Sequence, residues 1–159
     1  MFRENQIAPE FSLPAFEGGE GGLAGNDEKT RLLVFYKFSC PTCQLSLPFL
    51  QKMYEAYGDK VPIIAIAQDD QEKTASFRNE YGITIPTLLD LPPYPASRKF
   101  EIQSVPSLFL IGPNRKILYA GEGFVKQEFL NLADILAQKS NRPQIDLFAN
   151  AVVPEFKPG

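Results

Sequence analysis

The chain has no histidine and no tryptophan, and only two of its 159 residues are cysteine. A structural zinc site takes four Cys or His ligands. One copy of this chain supplies two, so no metal is expected unless a site is shared between subunits, and no cofactor is implied. Two cysteines are also too few for a disulfide scaffold, and a chain of this length buries enough core to stand without a staple. Runs of positive charge are missing too. Sixteen Lys and Arg are scattered among nineteen Asp and Glu, for a net charge of −3. That balance, with a pI near 5.1, argues against a nucleic-acid surface and against an anionic-membrane surface. No apolar run approaches the ~18 residues of a membrane span. The opening "MFRENQIAPEF" lacks a charged-then-apolar leader, so the expected compartment is the cytoplasm, or an extracytoplasmic one if a leader or anchor precedes this sequence.

What is present alternates. "APEFSL" (Ala8 to Leu13) reads as a short strand, "EGGEGG" (Glu17 to Gly22) as a flexible loop, and Leu23 to Asp27 as a return strand. "RLLVFY" (Arg31 to Tyr36) and "VPIIAIA" (Val61 to Ala67) are continuous apolar runs, as strands buried on both faces should be. Between them, Leu47, Leu50, Met53, Tyr54 and Tyr57 recur at helical steps. Pro41 suits a first helical position, Pro48 should kink the helix, and Gly58 should stop it. Thr74 to Tyr81 reads as a helix, Thr87 to Leu89 as a short strand, Leu91 to Ser97 as a loop and Arg98 to Ile102 as a helical turn. Ser107 to Ile111 and Lys116 to Tyr119 read as a hairpin around "GPNR", and Lys126 to Gln138 as a helix. Alternating units predict an α/β fold with parallel strands and helices on both faces, to which the hairpin adds antiparallel edge strands. Residues 1–138 then form one domain. The Pro-containing tail, 139–159, is too apolar for pure disorder and should pack on the body or on a second subunit.

Both cysteines lie in "FSCPTC", where a buried strand gives way to a helix. The open amides and dipole of a helix N-terminus stabilise a thiolate, and such cysteines have pKa values lowered to roughly 3.5–7.5. Cys40 is the expected nucleophile. Cys43, one helical turn on, is the expected resolving thiol, which closes a disulfide and releases a bound partner. Lys37 is a candidate source of positive charge beside Cys40. A CxxC alone is moderately specific for redox chemistry; at a strand-to-helix junction in a βαβ pattern it is much stronger.

The segments "APEFSLPAFEGG", "LLVFYKFSCPTCQLSLPFLQKMYEAYG", "VPIIAIAQDD", "YGITIPTLLD" and "SVPSLFLIGPNRKILYAGEGF" together resemble a thioredoxin-fold redoxin. The resemblance runs from Ala8 to Gln138. It is nearest to the TlpA/ResA-like thiol–disulfide oxidoreductases, which border the AhpC/TSA peroxiredoxins. It implies a central mixed sheet flanked by helices, with an N-terminal β-hairpin. It also implies a cis-proline loop facing the cysteines, with Pro106 as that proline and the Val105 backbone open to a substrate peptide; Pro86 is the rival, expected to be trans. Partners would be protein or small-molecule disulfides and thiols, together with an external thiol reductant. The protein would be a monomer or a weak homodimer.

Several positions depart from the family pattern. Ser39 stands where thioredoxins usually carry Trp, Val34 where they often carry a buried Asp, and Ser46 where TlpA-like proteins often carry Glu. The usual carboxylates that move the Cys43 proton are therefore missing, and water or another acid, with Glu122 as a candidate, would serve. A peroxiredoxin PxxxTxxC motif does not fit. Aligned on Cys43 it puts Cys40 and Tyr36 at the Thr and Pro positions; aligned on Cys40 it puts Lys37 and Leu33 there. The expected function is disulfide exchange through Cys40 and Cys43. The alternatives are a thiol peroxidase using Cys43 and a non-catalytic binding module.

Overall fold

A computed structural model describes residues 1–159. Five strands form the central sheet in the order β5-β4-β3-β6-β7. These are β3 (Arg31–Tyr36), β4 (Ile63–Ala67), β5 (Thr87–Leu89), β6 (Ser107–Ile111) and β7 (Ile117–Glu122). β3 pairs parallel with β4, and β4 with β5; β6 runs antiparallel to both β3 and β7. The sheet is mixed, as expected, and the hairpin closes one side of it. Of its two strands only β7 is at an edge; β6 lies in the interior against β3. "SLFLI" explains the difference: all five residues are buried, and an edge would leave one side of that run in water.

β3 shows how sequence becomes layers. Side chains alternate across a strand, so Leu32, Val34 and Tyr36 join one core with residues of the long helices. Leu33 and Phe35 join a second core, with Phe100, Phe109 and the N-terminal hairpin. The first face is covered by α1 (Pro41–Tyr57), α2 (Gln71–Tyr81) and α4 (Lys126–Ser140). Leu47, Leu50, Met53 and Tyr57 of α1 are buried there, each worth about 1.5–3 kcal/mol relative to exposure. α1 is continuous through Pro48. α2 starts earlier than the apolar pattern predicts, because Asp70 caps it by accepting the Lys73 amide at 2.9 Å.

On the second face the N-terminal hairpin pairs β1 (Phe11–Pro14) with β2 (Glu20–Leu23), Phe11 opposite Leu23. The return strand thus runs through "EGGL" and not through Leu23 to Asp27. Gly22 permits it, since a Cβ there would strike the Phe11 carbonyl. α3 (Pro95–Lys99) straddles the two expectations: it begins three residues before the predicted turn, inside the expected loop, and takes in only the turn's first two residues. Buried Asp90 starts it by accepting the Ala96 and Ser97 amides at 3.0 and 2.8 Å.

The tail folds back along the first face. Asn141, with a left-handed backbone, ends α4. The Tyr57 hydroxyl donates to the Pro143 carbonyl at 2.8 Å and accepts the Ile145 amide at 3.0 Å. Leu147 is buried, and Phe148 packs against Phe49 with ring centroids 4.8 Å apart. The chain ends beside β8 (Phe124–Val125), which pairs with β9 (Phe156–Lys157). No helix is long and apolar enough to cross a membrane.

Candidate active site

β3 delivers the chain to the end of the sheet, and four residues after Tyr36 Cys40 is the N-cap of α1. Its backbone is extended, and its sulfur accepts the Cys43 amide at 3.1 Å. The Gln44 side chain donates to the Phe38 carbonyl at 3.0 Å and holds the approach loop. Pro41 follows as the first helical residue, where no amide is wasted. The Cys40 thiol is partly exposed and donates to the Val105 carbonyl at 3.3 Å. Its pKa is pulled down to about 6. The hydrogen bond from the Cys43 thiol is the largest cause; the Cys43 and Thr42 amides and the charge of Lys157 follow. Burial opposes them. Cys43 is fully buried, and its thiol is pushed far up, first by desolvation and then by its bond to Cys40. One sulfur is ready to ionise and its neighbour is held protonated.

Val105 and Pro106 face the pair from the loop before β6, and the peptide bond between them is cis. The other cis bond joins Pro92 and Pro93, and the bond before Pro86 is trans. Glu122 lies at the rim of this loop, where it is exposed and accepts the Ser104 hydroxyl at 3.0 Å. Lys37 is exposed; its charge bears on Asp69, and its side chain lines an open hollow with Gln68, Ser97 and Arg98. Its carbonyl, not its ammonium, touches Cys40, accepting the Cys40 amide at 3.2 Å. The cation that acts on Cys40 is Lys157, 117 positions later in the tail.

A carboxylate that no motif in the sequence marks also lies near the pair. Asp69 follows β4, is 6% exposed, and accepts the Phe38 amide at 2.8 Å. Burial raises its pKa, and its charge is felt by both Cys43 and Tyr36. The Tyr36 hydroxyl is buried with no hydrogen-bond partner. The one available signal was the acid pair after "IIAIA", in which Asp70 takes the cap and frees Asp69 to turn inward. Ser46, in the usual acid position, is buried and spends its hydroxyl on the Thr42 carbonyl at 2.7 Å. No group of three or more His, Cys, Asp or Glu is arranged to hold a metal.

A five-strand mixed sheet flanked by helices, with a cysteine pair at the start of its first long helix, defines a thioredoxin-like fold. The chain belongs to the AhpC/TSA family, which it matches over residues 5–120. It is 27% identical over 113 residues to the thioredoxin-like protein YneN of Bacillus subtilis, covering 69% of this chain and 65% of that one. It therefore spans about two thirds of the YneN length. It is 26% identical over 132 residues to the thiol-disulfide oxidoreductase ResA of Halalkalibacterium halodurans, covering 82% and 74%. Among solved structures, a candidate protein disulfide isomerase from Bacteroides thetaiotaomicron superposes with a TM-score of 0.80 at 23% identity, over 89% of this chain and 92% of that one. The thioredoxin domain of a thiol-disulfide oxidoreductase from Bacteroides vulgatus gives 0.73 at 21%, over 85% and 98%. At these identities the structural likeness speaks to the fold.

Proposed function

We propose that this protein exchanges disulfides through Cys40 and Cys43, with Cys40 as nucleophile. The observation that carries the reading is the asymmetry of the two sulfurs. Cys40 is partly exposed and holds its thiolate near pH 6, while Cys43 is buried and protonated. The Cys40 thiolate attacks a substrate disulfide. An S–S bond forms between Cys40 and one substrate sulfur, and the other leaves as a thiolate. Cys43 then loses its proton, with Asp69 as the acceptor we assign, and attacks the Cys40 sulfur. The Cys40–Cys43 disulfide forms and the second substrate sulfur leaves. An external thiol reductant takes up the oxidised pair and restores the dithiol.

Burial of Cys43 weighs against a peroxidase at that sulfur, since a peroxidatic thiolate must be both ionised and reachable. The test is reduction of insulin disulfides in the presence of a thiol reductant. Turnover by the native protein, its loss in Cys40→Ser, and a trapped mixed disulfide in Cys43→Ser are expected. Peroxide turnover that survives Cys40→Ser but not Cys43→Ser would overturn the reading.

A further inference from the structure

The segment Pro154 to Gly159 lies across the active site and outside the region matched to the family. Its strand β9 pairs antiparallel with β8, Phe124 opposite Lys157 and Val125 opposite Phe156. The Lys126 amide donates to the Glu155 carbonyl at 3.0 Å. The Pro158 carbonyl accepts the hydroxyl of Thr42, the residue between Pro41 and Cys43, at 2.5 Å. Gly159 then rests on the cis-proline loop. A Cβ added there would collide with the Val105 carbonyl and lie 3.1 Å from the Ser104 hydroxyl. Gly123, with φ +73°, makes room for the strand, because a Cβ on it would stand 2.8 Å from the Lys157 carbonyl. The tail therefore covers the Val105 carbonyl, to which the nucleophile points.

The way it is held matters as much as where it lies. These contacts are made by tail backbone, while the side chain of Phe156 is 60% exposed and Val152 fully so. The one ion pair, Lys126 with Glu155 at 3.6 Å, leaves the Glu155 side chain in solvent and contributes little. A short strand fixed by a few backbone hydrogen bonds is readily displaced. Any extended peptide offers the same backbone groups, which is the basis of recognition by strand addition.

We propose that Pro154 to Gly159 is an internal stand-in for substrate. It occupies the path that an extended segment of a disulfide-bearing protein takes between β8 and the Val105–Pro106 loop, and protein substrates enter by displacing it. Small disulfides reach the partly exposed Cys40 without doing so. The tail thus sets the threshold for protein substrates alone. This inference rests on the exchange reading above.

The experiment compares the full chain with a form ending at Val153, using insulin and dithiobis(nitrobenzoate) as substrates. Truncation leaves Leu147 and Phe148 in place. The assay is run at about pH 8, well above the Cys40 pKa, so that loss of the Lys157 charge does not change the thiolate fraction. If the tail is docked most of the time, removing it lowers the KM for insulin about fivefold and leaves the rate with the small disulfide within about twofold. An unchanged KM for insulin, or equal changes with both substrates, overturns the proposal. Absence of exchange with either substrate by either form overturns the exchange reading and this proposal with it. A second measurement needs no truncation. In Cys43→Ser protein carrying a peptide in mixed disulfide with Cys40, the Lys126 amide should lose the hydrogen-exchange protection that its bond to Glu155 provides. Retained protection would show that the tail stays in place and overturn displacement.

Discussion

Cys40 and Cys43 share a turn of helix and differ in almost everything else. Cys40 gains amide donors at an open helix end, and Cys43 is sealed beneath it. Alkylation of reduced Cys40 should titrate with a midpoint near pH 6. In Cys43→Ala, which removes the thiol donor and puts no hydroxyl in its place, the midpoint should rise towards the ordinary thiol value, read from the pH dependence of iodoacetamide labelling. Because folding lowers the Cys40 pKa below the usual ~8.5, the reduced protein has the full Cys40 stabilisation at about that pH, and higher pH opposes the fold because buried Cys43 resists ionising. The Cys40 stabilisation should be lost as pH falls towards 6, which denaturant midpoints across that window would show. Asp69→Asn keeps an oxygen for the Phe38 amide but takes no proton. Release of a Cys40 mixed disulfide should slow about tenfold or more, seen in stopped-flow single turnover, with little change in stability. Equal release rates would remove Asp69 from the proton path.

At the scale of elements, α1 does more than carry the dithiol. Buried Gln51 accepts the Thr84 and Ile85 amides at 2.9 and 3.2 Å and donates to the Thr84 hydroxyl at 2.7 Å. It ties the helix to the segment that leads into β5. Gln51→Leu fills the same space and leaves those amides without a partner. A loss of about 2–3 kcal/mol is expected, measured by urea unfolding, with the Cys40 pKa unchanged because Gln51 lies about three helical turns away from it. The element boundaries show where pattern reading stops. α1 and α4 are legible because each repeats an apolar period over many residues, and β3 because it is one unbroken apolar run. β2 and α3 are not, because "EGGL" and "PASRK" carry no periodicity. Their conformations come from a strand partner and from a buried Asp90 cap, contacts made with other parts of the chain.

Across the whole molecule, the tail links the far end of the sequence to the chemistry. Phe148 packs against both Phe49 of α1 and Phe124 of β8, with ring centroids 4.8 and 6.0 Å apart. Phe148→Ala should cost about 2–3 kcal/mol, less than a fully buried phenylalanine because the ring is partly exposed. Thermal unfolding would report the cost, and a hydrogen-exchange rise at Lys126 would report the loosened tail. A substitution without effect on either would mean that the tail is anchored by its backbone contacts and by Tyr57 alone.

The sequence by itself determined the α/β order, the two buried strands, the helix that begins at "CPTC" and the chemical identity of the pair. Periodicity, a proline suited to a first helical turn and two thiols one turn apart are local properties, readable wherever they occur. Only the tertiary structure decided which charges and carboxylates attend those thiols. Lys37 is three residues from Cys40 and its charge bears on Asp69, whereas Lys157 is 117 positions distant and its charge helps to lower the Cys40 pKa. Asp69 is a buried carboxylate whose charge is felt by Cys43, where Val34 and Ser46 supply none. Electrostatic influence depends on distance in space and on burial, and neither is encoded by separation along the chain.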